Sequence, residues 1–100
     1  HQRRIVDDIF NAGIKSYRKG DYVSAIAHLS AVVEDNQQHW LAWFYLGLAY
    51  LKSNDIDRGY RILRVVASMC PIDYLKAMSA ALLPDDDDDL KLESEMAEAS

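Results

Sequence analysis

Trp43-Phe44-Tyr45-Leu46-Gly47-Leu48-Ala49-Tyr50 is the stretch that decides the fold. It lies inside an apolar stripe of Trp40, Trp43, Phe44, Gly47, Leu48 and Leu51, whose spacings of three and four put one face of a helix on a core. Ser53-Asn54-Asp55 ends the stripe. Upstream, Tyr22, Ala25, Ile26, Leu29, Val32 and Val33 make a second stripe, closed by a loop over residues 34–38. Before it, Ile5, Ile9, Phe10, Ile14 and Tyr17 make another, stopped at Lys19-Gly20-Asp21, because a glycine after a basic last turn is a helix stop. Downstream, Ile56, Tyr60, Leu63, Val66 and Ala67 lead to Cys70-Pro71. No segment alternates with a period of two, so the spacing predicts an all-α chain of helices about 14 residues long.

The chain can be laid on itself with a single shift. Gly13 falls on Gly47, Gly20-Asp21 on Asn54-Asp55, Ala25 on Gly59, Leu29 on Leu63 and Val32 on Val66. Period and sequence together resemble the tetratricopeptide repeat (TPR) family, whose units are about 34 residues long. Trp43, Leu46, Gly47 and Tyr50 fill the family's W-x2-L-G-x2-Y run, and Pro71 stands where the second helix of a unit closes. Gly59 and Leu63 are variants in the A-x3-F slots. The first copy carries Ile9, Ala12, Gly13 and Ser16, then Ala25 and Leu29, with Gln37 in place of the proline. The resemblance implies a TPR-like solenoid of two helical hairpins, about 6–39 and 40–73, and a closing helix over 73–83. Domain 1–83 is then followed by an acidic tail, 84–100.

The small residues have packing reasons. A glycine inside a helix costs about 1 kcal/mol against alanine, so Gly13, Gly47 and above all Gly59 point to helix contacts with no room for a methyl. Asp73 is expected to N-cap the closing helix, since aspartate is a favoured cap. Tyr74, Leu75, Ala77, Met78, Ala81 and Leu82 are expected to form its apolar stripe, with Lys76 and Ser79 on its polar side.

Composition bounds the function. The net charge of −5 is uneven: residues 84–100 hold eight acids and one base, and residues 1–83 ten bases and eight acids. A body at +2 is too weakly basic for a nucleic-acid footprint. The longest apolar run falls short of the roughly 20 residues a bilayer needs, so no membrane insertion is expected. A lone Cys70 excludes an intrachain disulfide and, with no secretory signal at the start, fits a cytoplasmic, intracellular protein. The chain opens on His1 and not methionine, as a trimmed chain or an excised domain would. His1, His28 and His39 are too spread to form a local metal pair, and residues 85–89, five aspartates, lack the glycine and terminal glutamate of a calcium loop. With no phosphate-cradling loop and no nucleophile, base and orienter together, no enzyme activity, cofactor or metal is expected.

The resemblance to TPR proteins implies that the first helix of each unit lines a concave, peptide-binding face. That face would hold Phe10, Ile14, Tyr17 and Arg18 from the first unit, and Leu41, Phe44, Tyr45, Leu48, Leu51 and Lys52 from the second. Leu75, Met78 and Leu82 would come from the closing helix. The Lys and Asn clamp with which some family members hold a C-terminal carboxylate is missing, since Phe10, Ile14 and Tyr45 occupy those places. The function so implied is a protein–protein interaction module that takes a partner helix or extended peptide in an apolar groove. A self-associating domain, a homo-oligomer burying the same faces, and a small secretion-type chaperone are the alternatives. The tail is expected either to stay solvated and keep the protein soluble or, through its apolar Leu90, Leu92 and Met96, to dock residues 90–97 in the groove as a placeholder. Arg58, Arg61 and Arg64 form a slanting basic row on the fourth helix.

Overall fold

The computed structural model describes residues 2–84, with side chains from residue 6 onward. The tail beyond Pro84, with its expected docking segment, lies outside the described residues. Five helices follow one another: α1 (Gln2–Lys19), α2 (Tyr22–Asp35), α3 (Trp40–Lys52), α4 (Ile56–Met69) and α5 (Asp73–Leu82). Each packs on its neighbours in the chain, α1 on α2, α2 on α3, α3 on α4 and α4 on α5, with lighter α1–α3 and α3–α5 contacts. The fold is all-α, and its helices pair as antiparallel hairpins.

The sequence repeat is present in three dimensions, down to individual bonds. Asp21 caps α2 by accepting from the Ser24 N–H at 3.3 Å, and Asp55 caps α4 by accepting from the Arg58 N–H at 3.4 Å. The N–H groups of Asp21 and Asp55 donate to the carbonyls of Ser16 and Tyr50, both at 2.9 Å. One residue earlier, Gly20 has φ +83° and Asn54 has φ 70°, the left-handed conformation that ends a helix at low cost for these residue types. The close approaches repeat as well. A Cβ at Gly13 would stand 3.0 Å from Cγ of Leu29, and one at Gly47 would stand 3.0 Å from Cγ of Leu63. At Gly59 there is no room at all: a Cβ would meet Leu51 Cδ2 at 2.6 Å and the Gly47 carbonyl oxygen at 3.0 Å.

Two apolar clusters fill the interior. One joins Ala25, Leu29 and Val32 of α2 to Ala42, Leu46 and Ala49 of α3, with Ile9, Ile14 and Trp43 packed against it. The other joins Phe44 of α3 to Leu63, Val66 and Cys70 and to Leu75 of α5. Trp43 is only half-buried, and its indole N–H donates to the Gln37 carbonyl at 2.9 Å, tying the α2–α3 connection to α3. Tyr50 is also half-buried, with the Arg58 guanidinium 5.9 Å from its ring centre. Cys70 follows the last turn of α4 and is buried, and its sulfur accepts from the Ile72 N–H at 3.4 Å. Pro71 stands just beyond, where α4 has ended.

Four expectations are corrected. Phe44, read as a groove residue, is 3% exposed, because α5 lies over it and Leu75 packs in the same cluster. Leu75, also read as a groove residue, is 1% exposed for the same reason. Asp73 is the first residue of α5 and not its cap; Ile72 holds the cap position without a side-chain bond. Ser79, placed on a polar side, is fully buried. The last three share a cause. The α4–α5 connection, 70–72, is one residue shorter than the α2–α3 connection, 36–39. A full repeat after Trp40 would start α5 at Tyr74, and it starts instead at Asp73. In this shortened register, buried Leu75 and Ser79 fall on buried Ala42 and Leu46. The missing residue turns α5 by about 100° from the repeat's register.

A concave cleft between α1 and α3

Positions four apart on a helix share a face. On α1, Phe10, Ile14 and Arg18 stand in one such row, and Asn11 and Lys15 in the row beside it. On α3, Leu41 and Tyr45 make the matching row. These seven side chains line one open cleft of about 580 Å³ between the two helices. Its floor is apolar, formed by Phe10, Ile14, Leu41 and Tyr45. Its edge is cationic: the lining includes Lys15 and Arg18 and no carboxylate.

Aromatic contacts fix both sides of the cleft. The Phe10 ring lies against the His39 imidazole, with centroids 4.7 Å apart. His39 is itself held, since its Nδ1 accepts from the Ala42 N–H at 3.2 Å as the cap of α3. Tyr17 stands edge-on to Tyr45 at 5.6 Å, and to Tyr22 at the same distance on its other side. Burial, and then the neighbouring Tyr22 and Tyr45, push the Tyr17 hydroxyl above its ordinary pKa. It therefore stays a neutral donor and acceptor. Phe44 meets the far side of Tyr45 at 5.8 Å, so a core residue backs a cleft residue.

Of the residues read from the sequence as a binding face, Phe10, Ile14, Arg18, Leu41 and Tyr45 come together in this cleft. Tyr17 supports it from beside Tyr45. Leu48 and Leu51 are half-buried against the second cluster, and Lys52 is exposed outside the lining. Met78 is 47% exposed on α5. In the shortened register of α5, exposed Tyr74 and Met78 fall on Leu41 and Tyr45 of α3, outside the lining of the cleft. Asn11, Lys15 and His39 were missed. The repeat itself could have found Asn11, which stands one full period before Tyr45. Nothing local to Lys15 or His39 marks them.

Among the described residues no three His, Cys, Asp or Glu side chains gather to hold a metal ion, and no helix is long and apolar enough to cross a membrane. Compared with known proteins, the chain matches no family model, no curated sequence and no solved structure.

Proposed function

We propose that this protein is a non-enzymatic binding module of TPR type, which takes an apolar and acidic segment of a partner protein in the α1–α3 cleft. The observation that carries this is the composition of the lining: four apolar side chains as floor and two cations as edge, open to solvent. Such a floor offers anchors to the apolar face of a helix or to alternate side chains of an extended peptide. The cations favour carboxylates beside those anchors, and give orientation and encounter rate more than affinity. The row Phe10, Ile14, Arg18 supports a ligand lying along α1.

Peptides selected from a random library on the full chain test the reading. The expected consensus places apolar residues next to Asp or Glu. Ile14→Glu should then weaken binding by about tenfold or more, as loss of a central anchor does, with the helical circular dichroism unchanged. Selected peptides that bind Ile14→Glu and Tyr45→Glu as well as the wild type would put the binding surface elsewhere. A stable dimer whose contacts cover Ile14 would give the cleft to a second copy of the chain.

A further inference from the structure

A second groove runs on the other side of α5. It has a volume of about 660 Å³ and is lined by Arg64, Ala67 and Ser68 of α4, by Ala80 and Ala81 of α5, and by Leu83 and Pro84. Four of these seven side chains, Ala67, Ser68, Ala80 and Ala81, are small, as in the helix contacts within the two hairpins. There, Gly13 receives Leu29 and Gly47 receives Leu63, the same step along the chain in each hairpin. Ala80 is the equivalent of Gly47 in the shortened register of α5, and the same step onward from Ala80 reaches Met96.

The rest of the pattern follows in the same register. The capping aspartates Asp21 and Asp55 stand two helical turns and a residue beyond Gly13 and Gly47, and Asp88 stands in the same relation to Ala80. Buried Val32 and Val66 lie one turn past Leu29 and Leu63, and Ala99 holds the corresponding place past Met96. Leu92 falls on Ala25 and Gly59. Gly59 must be small because the Leu51 side chain fills its space. In the third copy the place of Leu51 is taken by Pro84, beyond the end of α5, so that constraint is absent and a leucine is admitted. Leu92, Met96 and Ala99 recur at four and three, one helical stripe. Glu93 and Glu98 lie off that stripe and Glu95 stands at its edge, three residues after Leu92 and four before Ala99, while Arg64 lines the groove with exposed Arg61 one turn away.

We propose that residues 88–99 form a sixth helix that closes a third hairpin, lying in the α4–α5 groove with Met96 against Ala80 and Asp88 as its cap. The aspartates before it serve as the turn. This occupant is favoured over the concave cleft as the tail's docking place, because Leu83 and Pro84 already line the groove while the cleft lies beyond α5. The proposal is independent of the partner reading: it leaves the α1–α3 cleft unfilled by the chain's own tail.

Hydrogen exchange on the unaltered full chain is the first test. Amides 92–99 should exchange about tenfold slower or more than in a synthetic peptide of residues 85–100, as a docked helix requires. Ala80→Glu should abolish that protection, and Ile14→Glu should leave it intact. In a Cys70→Ala background, Ala80→Cys with Met96→Cys should oxidise to a cross-linked monomer, and Ala80→Cys with Glu98→Cys should not, because residues 96 and 98 point to different faces. Tail amides that exchange like the peptide's would overturn the proposal. So would protection lost on Ile14→Glu but not on Ala80→Glu, equal cross-linking at 96 and 98, or a cross-link formed only between two chains.

Discussion

Phe10 rests on His39 with ring centroids 4.7 Å apart and planes inclined by 36°, and the same imidazole caps α3 through Nδ1. One side chain thus joins the floor of the cleft to the start of the helix that forms its opposite wall. His39→Ala removes both roles, and loss of the cap alone costs about 0.5–2 kcal/mol. His39→Asn keeps a good cap but no ring. It should restore most of the thermal midpoint and leave cleft binding weakened. Full recovery of binding in His39→Asn would show that the ring contact has no part in shaping the cleft.

Gly59→Ala sets two effects against each other. Alanine recovers about 1 kcal/mol of helix propensity, but overpacking typically costs about 1–3 kcal/mol, and this site is tight. The close atoms include the Gly47 carbonyl oxygen at 3.0 Å, a backbone atom that cannot swing aside. The variant should therefore lower stability; the part of that loss due to Leu51, whose Cδ2 and Cγ are closer still at 2.6 and 2.7 Å, should vanish in a Leu51→Ala background, and the part due to the Gly47 carbonyl should stay. Denaturant melts of the four chains give the coupling directly. Strict additivity would mean that Leu51 is not what crowds position 59.

Phe44 and Ile14 should respond oppositely to truncation. Phe44→Ala opens a hole beneath α5 and should cost about 3–5 kcal/mol of stability. Ile14→Ala, on a half-buried cleft residue, should cost clearly less stability and more affinity for cleft-binding peptides. Calorimetric melts read beside peptide titrations separate the two. A Phe44→Ala chain that melts like the wild type would return this ring to the surface.

Asp21 carries a pH dependence. Hydrogen bonding from Ser24, through its side chain and then its backbone N–H, holds the Asp21 carboxyl below the usual carboxylate range, with His28 and Lys19 adding to the effect. A carboxyl whose folded pKa is lowered stabilises the fold above its unfolded pKa. That contribution is lost as pH falls through the folded value. Asp21→Asn still caps but does not titrate, so its melting temperature should fall less steeply into the acid range. Parallel curves for the two chains would show that the cap's charge is not linked to folding.

Ser79 is fully buried in α5, and its hydroxyl has no hydrogen-bond partner among the described residues. An unpaired buried hydroxyl carries a desolvation penalty of about 1–3 kcal/mol. Ser79→Ala removes it with almost no change in volume and improves helix propensity. The variant should melt several degrees higher, on the scale of about 4–8 °C per kcal/mol for a domain of this size. A lower melting temperature would mean that the hydroxyl is satisfied in solution.

What could be read from the chain depended on range. The helix ends at Gly20-Asp21 and Asn54-Asp55 were legible because a left-handed residue and a capping aspartate act within one turn. Gly47 and Gly59 were legible as close approaches, since the only gain that offsets a helical glycine is proximity. Five of the cleft residues followed from the repeat. Phe44 was not legible, because its burial is decided by α5, a helix far along the chain that crosses above it. Ser79 and Tyr74 were misread for want of one residue in the α4–α5 connection, whose shortening turns the helix. His39 gave no signal, because capping by an imidazole depends on the ring position that Phe10 helps to set.

Each helix packs only on the helix before it, the one after it, or the next but one. The chain therefore never has to close a long loop before contacts reward it, and proteins rich in local contacts fold in microseconds to milliseconds. In an array held by nearest-neighbour interfaces, opening spreads inward from the ends. The α3 helix, with α1 and α2 on one side and α4 and α5 on the other, is gripped by more of the chain than any other described element. Its amides should be the last to exchange, and the wall that bears Leu41 and Tyr45 should stand after α1 has frayed away from it.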